Sequence, residues 1–177
     1  MTRFVSVSYI SLRPVTVEDR EFLYRVYAST RVDELMVVPW SVAQKEVFLR
    51  QQFEAQDRHY RLAYPDAEFS VIESGLEKIG RWYVWRGKND FRIVDIAILP
   101  DWRRRGFGTT LIRRLQTEAG EASKPLTIHV EEFNPAQRLY QRLGFRRVKQ
   151  NGIYWLMQWE REVSREAGAG DRTDQTS

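Results

Sequence analysis

The apolar pattern of this chain switches from the period of strands to that of a helix at a turn rich in arginine and glycine. From Glu68 onward three runs read as strands: FSVIE, then KIGRWYVWR after the turn Ser74-Gly75, then RIVDIAIL after Gly87-Lys88-Asn89-Asp90. Next comes Arg103-Arg104-Arg105-Gly106-Phe107-Gly108, beyond which Phe107, Leu111, Ile112, Leu115 and Ala119 recur every three to four residues along one face of an amphipathic helix. Three consecutive strands pair most simply as an antiparallel meander. Such a meander disfavours a dinucleotide fold of repeated strand–helix–strand units, and the third glycine of that motif is also missing at Thr109-Thr110-Leu111. No Gly-Lys-Ser/Thr follows, so a P-loop is excluded.

The rest of the chain fits around this centre. Tyr9 to Arg13 reads as a first strand closed by Pro14, Thr16 with Asp19 as a capping pair, and Val17 to Arg31 as a helix. Ser41 with Gln44 repeats the capping pattern before a longer helix to about Tyr60. Pro125 opens the strand LTIHV. Asn134-Pro135 then starts a helix with Ala136, Leu139, Tyr140 and Leu143 on one face, and Gly144 stops it. Phe145 to Lys149 and Ile153 to Glu160 form two last strands about the turn Gln150-Asn151-Gly152.

One domain suits 177 residues of which 42% are hydrophobic, and the aromatic content, with six Trp, argues for a folded chain up to about Glu160. Residues 1–160 are therefore expected to form the domain and residues 161–177 a disordered polar tail. The chain has no cysteine and only two histidines, which removes disulfides, thiolate chemistry and multi-histidine metal sites, so no metal is expected. The N-terminus has no long apolar stretch and no segment reaches the roughly 18 apolar residues of a membrane span. A soluble, cytoplasmic protein with no membrane partner is the expectation.

A glycine turn that leaves a strand and opens a helix is an anion site. The first-turn amides point at whatever sits beyond the helix N-terminus, glycines let the main chain approach closely, and arginines add charge-assisted hydrogen bonds. A pyrophosphate suits it. Read alone, the same residues make an ordinary connection with solvated arginines.

In its two motifs the chain resembles the GNAT superfamily of acetyltransferases. The family signature of Arg or Gln, two residues, Gly, one residue, Gly or Ala is matched by Arg103, Gly106 and Gly108, and the preceding Ile96-Ala97-Ile98-Leu99-Pro100-Asp101-Trp102 resembles the exit of the family's fourth strand. Asn134-Pro135-Ala136 and Leu139-Tyr140-Gln141-Arg142-Leu143-Gly144-Phe145 resemble its second signature region, and the likeness covers about Tyr9 to Glu160. The resemblance implies a single-domain α/β (α+β) fold, with a central mixed, mostly antiparallel sheet of about seven strands, splayed fourth and fifth strands and about four helices. It implies an N-acetyltransferase that moves the acetyl group of acetyl-CoA to a primary amine by direct attack in a ternary complex. Main-chain groups of Ile96, Ala97 and Ile98 would run along the pantetheine arm, Arg103, Arg104, Arg105, Gly106, Phe107, Gly108 and Thr109 would hold the pyrophosphate, and Asn134 would contact the pantetheine. Tyr140 would face the thioester sulfur as the catalytic acid, where the residues alone read as a core aromatic. The resemblance also allows a homodimer.

The base is less directly given. Many members carry a glutamate at the start of the fourth strand, where this chain has Arg92. Asp95, the one acid inside an apolar strand, and Glu131, at the end of LTIHV, rank equally as catalytic candidates, with a water relay as a third reading; Asp95 reads equally as a structural acid, Glu131 as a solvated one and His129 as a core histidine. Along WYVW, Tyr83 and Trp85 share a face with Arg81, a face that packs on helices or lines an acceptor pocket with Trp40 and Tyr60. Two rival functions remain: an inactive CoA-binding or scaffolding protein of the same fold, and a nucleic-acid module. The second is disfavoured because the arginines occupy one turn rather than a broad face.

Overall fold

Two side-chain brackets and one surplus residue organise the molecule, described for residues 9–161 by a computed structural model. The expected tail, residues 161–177, lies outside the described residues except for Arg161. Seven strands form one sheet: β1 (Ile10–Pro14), β2 (Glu68–Ser74), β3 (Glu77–Arg86), β4 (Phe91–Ile98), β5 (Leu126–Glu131), β6 (Arg146–Asn151) and β7 (Tyr154–Trp159). Their order is β1-β2-β3-β4-β5-β7-β6, antiparallel throughout except between β4 and β5. This is the mixed seven-stranded sheet that the family resemblance implies.

The described residues hold five α-helices instead of about four: α1 (Arg20–Ser29), α2 (Val32–Met36), α3 (Val42–Ala63), α4 (Phe107–Glu121) and α5 (Gln137–Arg142). The extra one is α2, which follows the helix expected over residues 17–31; that helix is itself a 3₁₀ turn at Val17–Asp19 and then α1. Ser29 Oγ donates to the Val26 carbonyl and Thr30 Oγ1 to the Tyr27 carbonyl, both at 2.7 Å. These hydroxyls occupy carbonyls that a continuing helix needs, so α1 stops there. Both capping pairs form: the Thr16 amide donates to Asp19 at 2.9 Å, and Ser41 and Gln44 bond reciprocally at 2.8 and 3.2 Å.

Helices cover both faces of the sheet. On one, Phe22, Leu23, Val26 and Tyr27 of α1 and Phe53 of α3 pack with Val71 and Ala97. On the other, Leu111, Ile112 and Leu115 of α4 and Tyr140 of α5 pack on Trp82, Val84, Ile93, Ile128 and Met157. Each fully buried aliphatic side chain here contributes about 1.5–3 kcal/mol. On the α3 side the β5–β7 half of the sheet leaves His129 and Tyr154 exposed.

Between β3 and β4 the register slips by one: Tyr83 faces Asp95, but Val84 faces Ile93, so Val94 is an unpaired bulge. A bulge bends its strand and deepens the local twist. Accordingly β4 and β5 pair only at Phe91–Leu126, Arg92–Thr127 and Ile93–Ile128, and part beyond the bulge. The sheet contains a fork.

Candidate active site

The fork leaves main-chain groups open. Leu99 donates to the Ile79 carbonyl at 2.9 Å, so by the alternation of an antiparallel ladder Ala97 and Leu99 turn toward β3 while Ile96 and Ile98 turn toward the gap. At the closed end Arg92 acts as a pin, donating at 3.1 Å to each of Thr127 on β5, Tyr64 at the C-terminal cap of α3 and Asp90. The residue that departs from the family's glutamate thus ties the fork shut at its base.

The open end runs into the glycine turn. Arg104 and Gly106 are left-handed, with φ of 59° and 88°, and α4 starts at Phe107 with no side-chain cap. Its first intrahelical bond runs from the Thr110 amide to Gly106, which leaves the amides of Phe107, Gly108 and Thr109 for an anion at the positive end of the helix dipole. A β-carbon at Gly108 would stand 3.6 Å from Ile96 Cδ1 and 3.8 Å from Ile98 Cδ1 and Leu139 Cδ2, between β4 and α5. The arginines do different things. Arg105 lies over Trp102 at 4.8 Å, whereas Arg103 Nε donates to the Ile98 carbonyl at 2.7 Å and its Nη2 reaches the Ser29 carbonyl at 3.4 Å, bracing the end of β4 against the end of α1.

Across the gap, Asn134 Oδ1 accepts from the Ala136 amide at 2.9 Å and shapes the entry to α5. Tyr140 is 4% exposed, its ring 5.8 Å from Phe145. Burial, then the charge of Asp95, pushes its phenol well above the ordinary value, so it stays protonated. Asp95 receives a 2.6 Å ion pair from buried Arg81, whose Nη2 also donates to Gln56 of α3 at 2.7 Å. Burial and Asp95 likewise raise Tyr60, which stands edge-on to Tyr83 at 6.2 Å. Glu131 accepts from Tyr154 Oη at 3.3 Å and pairs with Arg31 at 3.5 Å.

Tyr140 thus packs with Ile96 and Ile98 on the α4 side of the fork, Asp95 lies on the opposite face near enough for its charge to act on the phenol, and Glu131 ends β5. Trp40 does not join Tyr60: it packs on Phe48 at 5.2 Å, and Phe48 precedes Tyr60 on α3 by about 18 Å of helix at 1.5 Å per residue. Sequence reading missed Gln137. Its Nε2 donates to the carbonyls of Glu131 and Glu132 at 2.7 and 2.8 Å, fixing the end of β5 to α5, and no local pattern announces it.

A fork beside a helix N-terminus, with free strand groups leading to a buried phenol, defines a site for an extended ligand with a phosphate at one end and a reactive group at the other. Residues 65–147 match the family model described as an acetyltransferase (GNAT) domain. That segment, just under half of the chain, carries a GNAT acetyltransferase domain, which supports an acetyl-CoA-dependent N-acetyltransferase with acetyl-CoA as cosubstrate. It is 29% identical over 136 residues to a putative ribosomal protein bS18-alanine N-acetyltransferase of Bacillus subtilis, covering 76% of this chain and 79% of that one. Its fold is similar to the PaiA N-acetyltransferase of Thermoplasma acidophilum solved with coenzyme A, at TM-score 0.65 and 16% identity over 86% and 99% of the two chains. It is also similar to the ribosomal-protein-S18-alanine N-acetyltransferase of Escherichia coli, at TM-score 0.56 and 16% identity over 89% and 97%. Among the described residues no helix is long and apolar enough to cross a membrane.

Proposed function

We propose that this enzyme acetylates the α-amine at the N-terminus of a polypeptide, by direct attack of the amine on the thioester within a ternary complex. The observation that carries the reading is the fork, whose open Ile96 groups and Ile98 amide lead from the α4 amides to Tyr140, the Ile98 carbonyl being held by Arg103. The α4 amides hold the pyrophosphate, the β4 edge takes the pantetheine as an added strand, and the Ile98 amide stabilises the oxyanion. Tyr140 donates a hydrogen bond to the departing sulfur. Its raised phenol keeps that proton at every working pH, while proton transfer to a thiolate of ordinary pKa near 8.5 is uphill, so the bond to the developing charge is the larger part of its role.

For the acceptor, the open face beside β5 suits an extended chain, and the Glu131 carboxylate at the rim suits an ammonium; Asp95, across the gap, adds negative potential. The names of the Bacillus and Escherichia relatives agree with a peptide amine. The test is mass spectrometry after incubation with acetyl-CoA and a mixed amine library that includes peptides beginning with alanine. Acetylation of the peptide α-amine is expected. Acetylation confined to small amines or lysine side chains overturns the acceptor assignment, and cofactor binding without transfer to any amine makes the chain an inactive binder.

A further inference from the structure

Direct attack needs an unprotonated amine, and the two carboxylates nearest the gap are already engaged, Asp95 with Arg81 and Glu131 with Tyr154 and Arg31. One further titratable group lies at the fork. The last β4–β5 pair is Ile93 with Ile128, so His129 is the first β5 residue past the point where the strands part. Its neighbours Ile128 and Val130 are buried against the α4 side, and strand alternation puts the exposed His129 side chain on the opposite face, the one the acceptor reading uses. Its cross-strand neighbour on β7 is the apolar Leu156. No hydrogen bond among the described residues engages its ring. The other histidine, His59, lies on α3 beside Tyr60, ring to ring at 6.1 Å.

We propose, resting on the transferase reading above, that His129 is the general base of the reaction. One ring nitrogen takes a proton from the incoming ammonium, leaving a neutral amine and an imidazolium. The amine lone pair forms the C–N bond to the thioester carbonyl, and the C–S bond breaks with its electron pair on sulfur. The second amine proton ends on that sulfur beside Tyr140, and the imidazolium returns its proton to water from the exposed face. The ionisable groups that share this face include Arg81 and Tyr83 on β3, Arg92 and Asp95 on β4, Glu131 on β5 with its partner Arg31, Tyr154 on β7, Arg146 and Lys149 on β6, Tyr60 on α3 and Tyr64 just past its end. Partial desolvation at the strand surface, then the positive charge of Arg92, holds the imidazole below its ordinary value, so it is neutral and able to accept a proton near pH 7.

The deciding variant is His129→Gln, assayed with acetyl-CoA and a peptide beginning with alanine. Expected are a fall in kcat of about 10²- to 10⁴-fold, an acetyl-CoA KM little changed, loss of the acid limb of the pH–rate profile below pH 6.5, and partial rescue of His129→Ala by added imidazole. A second measurement does not need the acceptor. In proton–carbon NMR the two imidazole signals, assigned with His129→Gln, should separate on adding acetyl-CoA, with only that of His129 moving. A folded His129→Gln enzyme that turns over within twofold of the parent with the same pH profile overturns the proposal, as does a His129 signal indifferent to acetyl-CoA. A parent enzyme that leaves the peptide untouched overturns the acceptor assignment instead, and the NMR result still decides for His129.

Discussion

Gly108→Ala should make the free protein more stable and the cofactor complex weaker, two effects of opposite sign from one methyl group. Gly108 has ordinary helical geometry, and a β-carbon there meets Ile96, Ile98 and Leu139 at 3.6–3.8 Å, which is normal van der Waals contact. Without ligand the methyl fits and removes the backbone freedom of an unfolded glycine, a gain of about 0.5–1 kcal/mol, or roughly 1–4 °C in Tm for a chain of this size. The family signature admits alanine here, so any cost in this chain comes from Ile96, Ile98 and Leu139, which leave the same methyl in the space between β4 and α5 proposed for the pantetheine. Overpacking of this kind costs about 1–3 kcal/mol, so acetyl-CoA should bind about 5- to 150-fold more weakly. At a concentration 100 times the parent's Kd, the parent gains about 2.7 kcal/mol from ligand, and a variant at mid-range gains only about 1 kcal/mol. Urea titrations of both proteins, with and without acetyl-CoA, read all four quantities. A variant whose cofactor affinity stays within twofold of the parent refutes the placement of the pantetheine, and one less stable than the parent in the free state refutes the fit of the methyl.

Three other outcomes are expected. Tyr140→Phe keeps the ring and deletes the proton, so kcat should fall by about 10²- to 10⁴-fold with cofactor affinity nearly unchanged; stopped-assay turnover within twofold of the parent would reduce Tyr140 to a packing residue. Gly106 is left-handed with open space around it, so Gly106→Ala costs backbone strain alone, about 1–2 kcal/mol, and calorimetric Tm should rank glycine above asparagine above alanine. Asp19 is fully buried, and its carboxyl is held well below the usual range chiefly by Arg13 and also by Lys78, at 2.6 and 2.7 Å. A depressed value stabilises the fold above the unfolded carboxyl's pKa of about 3.9 and fades as pH drops below it. Both cations are about a third exposed, which discounts the network to about 2–3 kcal/mol, and urea midpoints between pH 7 and 3 should show Asp19→Asn with a flatter acid decline.

Where one local signal dominated, the residues announced their structure. The spacing of Leu111, Ile112, Leu115 and Ala119 gave α4, Ser41 with Gln44 gave the start of α3, and the glycine turn lay where the strand-to-helix switch required. What escaped the sequence depends on partners distant along the chain. Asp95 stood out as an acid in an apolar strand, but its engagement by Arg81 needs the register of two strands, and Gln56 adds a third element. The signature spacing marked Arg103, yet its side chain braces Ile98 and Ser29, a contact across 74 residues. His129 read as a core residue because alternation gives its period but not which side of β5 the helices leave open. Ser29 and Thr30 ended α1 through hydroxyl bonds that compete with the helix, a choice their types permit without compelling.

The bulge at Val94 has a consequence for how this enzyme can vary. Val94 is opposed by no β3 residue, so the fork depends on the count of residues in β4 and hardly on which residue is surplus. Substitutions at 94 should therefore be cheap, whereas removal of that one residue would make the pairing with β3 continuous, leave Ile93 and Asp95 on the faces they hold now, and let β4 run on along β5. The opening that admits the substrate is encoded as a number, and it is exposed to deletions in a way that no single side chain of the site is.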